Sequence, residues 1–300
     1  MLIKENIIWS KGPIRNNTYY TKQTEESSSV KDIQTLVDEA KDVIYIRTGS
    51  IRQDNLPNVN DLEYFASLLH RLKEPVILVT SDGDRPVPSS YSLGTVARIL
   101  TSNKIKMWYT QNYDQSIRHP KLKHLPIGFD LHSSHLLVND SIDDTMRFWM
   151  ECRKNSPTNI RFKNRIYCDS HLSLTHPERQ IMFNILKDNK YIDFNPSKIS
   201  FMENTKNYNK YNFALSPRGN GVDCHRTWEL FLAGVIVITR TSTLDYMFVS
   251  NNLPVVILND WNELNEVNLE KKLQIWYDKN IHKTSINNIL PKLTTNYWLK

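Results

Sequence analysis

The chain has 300 residues, 40% hydrophobic and 23% charged, which suits one large or two ordinary packed domains and excludes a disordered polymer. A formal net charge of +6 and a pI of about 9.0 fit an anionic ligand such as a nucleotide, yet no Lys/Arg block is long enough for a nucleic-acid arm. Cys152, Cys168 and Cys224 lack the paired spacing of a disulfide framework or zinc site, and the chain shows no apolar leader and no run of roughly 18 apolar residues, so a cytoplasmic protein without a membrane span is expected.

In chain order, the spacing predicts a helix at about 30–41 and a buried strand within "DVIYIRTGS" (42–50). Leu62, Phe65, Leu68, Leu69 and Leu72 recur at helical spacing over 60–73, with Asn60 as N-cap. "PVILVTSDGDRPVP" (75–88) reads as a strand running into an acidic loop. A helix at 92–102, a strand at 105–112 and another within 121–130 follow. A polar, partly helical break spans 133–159. Strands then resume at 164–171, 211–219, 235–239 and 253–260, with helices at 176–189, after Asp223 and at 268–279. Strands that alternate with helices imply parallel sheets. The pattern occurs on both sides of residue 150, so two α/β domains are expected, 1–150 and 151–300, with a cleft between them and the last helix placed to pack back on the first domain. Trp228, Trp261, Trp276 and Tyr211 sit in apolar patterns and read as core or domain-closure residues.

In an open parallel sheet, ligands bind beyond the carboxyl ends of the strands. Three loops qualify: "SDGDRP" (81–86), "PIGFDLH" (126–132) and "SPRGNGVDCH" (216–225). The last carries the most chemistry. Gly219 and Gly221 let a ligand approach the backbone, and Asp223 can cap the helix that begins near Cys224. The N–H groups of that helix's first turn favour an anion, and Arg218 adds a fork of donors suited to phosphate. His225, Arg226 and Glu229 share the helix face turned toward the loop. The set has donors for a diphosphate and a carboxylate placed for a ribose diol. The plain alternative is a common glycine turn with a surface arginine and a local His–Glu contact.

"FALSPRGNGVDCHRTWELFLAGVIVI", followed by "LDYMFVSNNLPVVILNDWNELN", resembles the C-terminal region of exostosin-like glycosyltransferases over about residues 211–265. Upstream, "TSDGD", "QNYD" and "HPKLKHLPIGFDLH" look like the shorter viral, algal and bacterial members. The resemblance implies a GT-B fold, two Rossmann-like domains facing a cleft, and an inverting transferase that uses a nucleotide sugar, usually a UDP-sugar. It implies that Ser216, Arg218, Gly219, Asn220 and Gly221 form the diphosphate loop, that Glu229 holds the ribose, and that His225 and Arg226 lie beside the donor phosphates or sugar. Arg179 is a further phosphate partner, with a solvated helix arginine as its alternative. Family members differ in the sugar they use; UDP-xylose suits a short enzyme. The expectation of no membrane anchor departs from the Golgi members of that family.

A single displacement needs a general base for the acceptor hydroxyl and charge stabilisation for the departing diphosphate. The resemblance implies no bound metal for the leaving group; Arg218, Arg226 and the helix N-terminus can supply the positive field, and no His/Asp/Cys cluster has convincing metal-ligand spacing, so neither a metal nor a tightly bound cofactor is expected, with a cation held by Asp82 and Asp84 as the alternative. The base should come from the first domain. Asp82 and Asp84 are favoured, with His119 and Asp130 as runners-up and Arg85 orienting a base or binding the glycan acceptor. Each has a bland counterpart: a Gly turn, a pre-proline loop, a linker brace. Two other functions compete, a catalytically inactive relative that binds glycan or nucleotide, and a basic nucleic-acid-binding protein.

Overall fold

The computed structural model describes residues 7–11, 18–20, 29–49, 60–169, 176–195 and 199–299. The first half builds β1 (Thr18–Tyr20), α1 (Val30–Glu39), β2 (Val43–Arg47), α2 (Asp61–Ser67), β3 (Val76–Ser81), α3 (Leu93–Thr101), β4 (Ile105–Thr110) and β5 (Leu122–His124). The helices start where the sequence places capping side chains. Ser29 and Asp32 form a capping box on α1, Asn60 caps α2 through the Glu63 N–H, and Ser92 caps α3 through the Thr95 N–H. The helix expected over 60–73 divides at Leu68 into α2 and a short 3-10 turn, Leu69–Arg71.

The five strands form one parallel sheet in chain order, β1-β2-β3-β4-β5, with Val43 opposite Ile77 and Arg47 opposite Ser81. Alternation along β2 divides the core. Ile44 and Ile46 pack under α1, α2 and α3 with Leu78, Ile99 and Trp108. Val43 and Tyr45 face the other way, with Val79 and Tyr109, into a second cluster.

The chain continues through α4 (Ile142–Lys154), β6 (Phe162–Cys168), α5 (Pro177–Leu186), β7 (Ile192–Phe194), α6 (Phe201–Tyr208), β8 (Tyr211–Leu215), α7 (His225–Ala233), β9 (Ile236–Arg240), α8 (Asp245–Ser250) and β10 (Val255–Leu258). It ends in α9 (Leu269–Asn280), α10 (Ile286–Lys292) and α11 (Thr295–Trp298). Pro177 occupies the first turn of α5, where a missing N–H costs nothing. The second sheet is also parallel, ordered β10-β9-β8-β6-β7. The connection from β7 passes β6 to reach β8, so the strand order reverses between β6 and β8. That reversal opens a crevice at the strands' carboxyl ends.

One face of this sheet, Ile166, Phe213, Leu215, Ile236 and Ile238, packs on α5 and α9. The opposite face, Tyr167, Ala214 and Val237, joins the cluster that also covers the first sheet, with Trp228, Leu230 and Phe231 of α7 between them. The chain's two ends meet in this shared core. The Ile8 N–H donates to the Leu293 carbonyl, and the Ile8 carbonyl accepts from Phe129. Trp298 of α11 meets Trp228 edge-on, with ring centroids 5.9 Å apart. Helix α4 packs on the second half, Trp149 donating to Thr205 and Arg153 to the Leu232 carbonyl of α7.

Gly234 ends α7 at φ 75°, in the left-handed region, and the Val235 N–H returns to the Leu230 carbonyl. Arg161 also reaches this end, donating to the Ala233 carbonyl at 2.9 Å, and so brings positive charge to the helix's negative pole. Trp228 and Trp261 are fully buried, while Tyr211 and Trp276 pack at the edges of the central and outer clusters.

Candidate functional site

The crevice between β6 and β8 opens on a cavity of about 540 Å³. The first half contributes Asp84, Ile127 and Asp130 to its wall; the second contributes Asp169, Arg179, Gly219 to Gly221, His225, Arg226 and Glu229. Asp84 and Glu229, 145 positions apart in sequence, thus face one space. A second, smaller cavity of about 190 Å³ lies on the other side of the same loop, lined by Ser216, Arg218, Thr227, Thr239 and Arg240. Cys224 lines both.

The loop after β8 is held by the first sheet. Asn112, just past β4, accepts from the Val222 and Asp223 N–H groups and donates to the Gly83 carbonyl. A Cβ on Gly221 would come within 2.9 Å of the Asn112 side chain, so this glycine serves the approach of the two halves. Asp223 is not the cap expected from the sequence. Cys224 is the N-cap residue of α7, and no side chain caps that helix. Asp223 instead bridges the halves. Its Oδ2 accepts from the Ile127 N–H at 2.8 Å, and its Oδ1 accepts from Cys224 N–H and Trp228 Nε1, each at 2.9 Å. Burial pushes its pKa up to about 6 despite these three bonds.

His225 donates from Nδ1 to the Gly128 carbonyl at 2.8 Å, a bond that leaves Nε2 as the acceptor of the neutral ring. Burial lowers its pKa, against the pull of Asp130. Gly128 itself sits at φ 67°, where a Cβ would collide with the Ile8 carbonyl. Arg226 makes a 2.5 Å ion pair with Asp169, which lies immediately after β6 and also accepts from Tyr208 and from Asn204. Burial opposes ionisation of Asp169, but Arg226 and the Tyr208 and Asn204 hydrogen bonds outweigh it and hold its pKa below the ordinary value. Sequence reading missed Asp169. The signal was present as an aspartate ending "IYCD", but its partner lies 57 positions on and becomes visible only through the fold.

Glu229 departs from the carboxylate expected. Burial, only partly offset by Arg226, lifts its pKa from 4.5 to about 8, so at pH 7 it is a carboxylic acid. Between these values the native state keeps a proton that the unfolded chain has lost, so stability falls as pH rises from about 4.5 to about 8. Glu229→Gln should flatten that part of a stability–pH profile and stabilise the protein at pH 8 by on the order of 1–3 kcal/mol, read from denaturant midpoints. An unchanged slope would show that Glu229 does not carry the proton.

The remaining expected residues separate. Arg218 turns back on its own loop, donating to the Gly219 and Asn220 carbonyls, and faces the smaller cavity with Ser216 rather than Arg226 and Glu229. Ser216 pairs with Thr227. Arg179 donates to the Arg218 carbonyl and reaches the larger cavity, where burial and the nearby Arg226 lower its pKa. Asp82 is not on the cavity wall. It stands at φ 59° with its carboxylate 2.5 Å from Arg47 and 3.5 Å from Lys11. A Cβ on its neighbour Gly83 would strike Thr48, so "SDGD" is a tight joint between the loops after β2 and β3, and only Asp84 reaches the site. Asp130 braces its own turn through Ser133 and faces His132 at 3.1 Å. Arg85 is exposed and lines neither cavity. His119 lies elsewhere, in a third cavity beside α8 and α11.

Among the described residues, no group of three or more His, Cys, Asp or Glu is disposed to hold a metal ion, and no helix is long and apolar enough to cross a membrane.

Comparison with solved structures adds two likenesses. WaaG, a glycosyltransferase involved in lipopolysaccharide biosynthesis, aligns over 80% of this chain and 86% of its own at 13% identity and a TM-score of 0.38. The GtfA/B complex aligns over 86% of this chain and 57% of its own at 11% identity and a TM-score of 0.35. Both TM-scores fall below 0.5. No family model matches the chain, and no curated protein matches it in sequence.

Proposed function

We propose that the chain is an exostosin-type, inverting glycosyltransferase of GT-B architecture that takes its sugar from a UDP-sugar. One observation carries the reading: the cavity at the β6/β8 reversal joins the uncapped N-terminus of α7, Arg179, Arg226 and the Glu229 carboxyl on one side to Asp84 and Asp130 on the other. The helix N-terminus and the two arginines suit a diphosphate. Neutral Glu229 can both donate to and accept from a ribose diol. Arg218 and Ser216 extend the nucleotide-binding surface into the smaller cavity.

In the transfer, Asp84 takes the proton of the acceptor hydroxyl as its oxygen attacks the anomeric carbon. The nucleoside diphosphate leaves with the bonding pair, stabilised by Arg179, Arg226 and the helix N-terminus without a metal. Asp130, already engaged by Ser133, supports this wall and His225 rather than taking the proton.

A thermal-shift panel of UDP-sugars, with UDP-xylose among them, tests the reading. At least one should raise the melting temperature, and Arg179→Ala or Glu229→Ala should weaken its binding about tenfold or more. Asp84→Asn should keep that binding and lower turnover by about 10²–10⁴-fold. Binding without turnover toward any glycan acceptor would support the inactive, nucleotide-binding relative instead. No stabilisation by any UDP-sugar would overturn the proposal.

A further inference from the structure

A further cavity shares no lining residue with this site. It encloses about 790 Å³ between the carboxyl ends of β4 and β5, helix α8 and the terminal helix α11. That volume lies in the range of small-molecule pockets. Its wall is aromatic: Tyr109, Tyr113, Tyr246, Tyr297 and Trp298 line it. The polar tips of three of these are held by the protein. Tyr113 donates to the Ile117 carbonyl, Tyr297 to Asn251 and Trp298 to the Lys292 carbonyl. Those bonds fix the side chains, so their rings form a preset apolar surface. Tyr246 is 72% exposed at the rim, an aromatic the core does not use.

The charge on this wall has one sign. Arg118 and Lys123 line it, and no carboxylate does so among the described residues. His119 lines it too, its Nδ1 accepting from the Lys121 N–H. His124 packs against Tyr113 with ring centroids 4.7 Å apart, and burial lowers its pKa to about 4, so the inner wall is an uncharged ring with the cations around it. Arg118 is tied to the pocket through Gln115, whose amide donates to the Thr243 carbonyl just before α8.

We propose that this cavity is a second binding site, for a small ring-bearing anion: one flat or pyranose ring carrying a phosphate or carboxylate. The aromatic slot takes the ring, and Arg118 and Lys123 take the charge. A nucleoside monophosphate and a uronic-acid glycoside share this chemistry. The site is separate from the Glu229 cavity and stands whether or not that cavity transfers sugar.

Calorimetric titration of the full chain decides the matter, with uridine monophosphate and 4-nitrophenyl β-D-glucuronide as probes and uridine and 4-nitrophenyl β-D-glucoside as neutral controls. At least one anion should bind with its control about tenfold weaker, a difference of about 1.4 kcal/mol. Arg118→Ala/Lys123→Ala should weaken it by a similar factor while the melting temperature holds, and Glu229→Ala should change it less than about twofold. Which probe responds identifies the ligand source. Binding lost in Glu229→Ala but kept in the double variant would place the anion in the other cavity and overturn the proposal. Equal binding of anion and control, or no binding of either anion at about 5 mM, would overturn it as well.

Discussion

Asp169→Ala is expected to cost about 3–5 kcal/mol and to lower the melting temperature by roughly 5–15 °C. Asp169 is 3% exposed and sits where β6 ends. Removing its carboxyl leaves the Arg226 guanidinium without the anion that raises its pKa, leaves the Tyr208 hydroxyl without its acceptor and leaves the Asn204 amide with the Tyr208 oxygen alone. An unpaired buried charge is costlier than a missing pair. The double variant Asp169→Leu/Arg226→Met should therefore lose less than the sum of its singles, with a coupling of about 2–3 kcal/mol. Thermal and denaturant melts of the wild type, the two singles and the double variant test this. Additive effects would mean that the pair does not act as a unit.

Asp223→Ala should cost about 3–5 kcal/mol, since each buried donor left without a partner costs about 1–3 kcal/mol and three are stranded at once. The three come from different places: Ile127 from the loop after β5, Cys224 at the start of α7 and Trp228 one turn into it. Asp223→Asn keeps the shape but turns an NH₂ toward donors, and should fall between the two, at about 1–2 kcal/mol. Amide hydrogen exchange gives the sharper readout. In Asp223→Ala the Ile127 and Cys224 amides should lose protection together, because one carboxylate holds both. If only Cys224 responds, Asp223 is a local cap after all and the bridge to the first half carries no energy.

Both residues show how legibility divided. Asn60, Ser92 and Pro177 act within three or four residues of themselves, and the caps and helix start they mark are where the sequence puts them. The strands were legible because β-branched runs such as "VIVIT" fall between turn residues. The short elements were not. β7 has three residues, and α6, "FMENTKNY", is largely polar. α8 and α11, with six and four residues, give too little periodicity to read, and the second cavity is built on them.

Legible from the residues alone were the two α/β halves, the parallel strands, the turn at "SPRGNG" and the grouping of His225, Arg226 and Glu229 on one helix face, because each depends on periods of two and 3.6 and on glycine in local turns. Tertiary structure decided which of these groups share a cavity. It sent Arg218 to the far side of its loop, tied Asp82 to Arg47, moved Asp223 from cap to bridge, paired Arg226 with Asp169 and placed His119 in another pocket. It also decided charge. Burial makes Glu229 an acid with a pKa of about 8, because the cost of a carboxylate depends on how much water the whole fold removes from it.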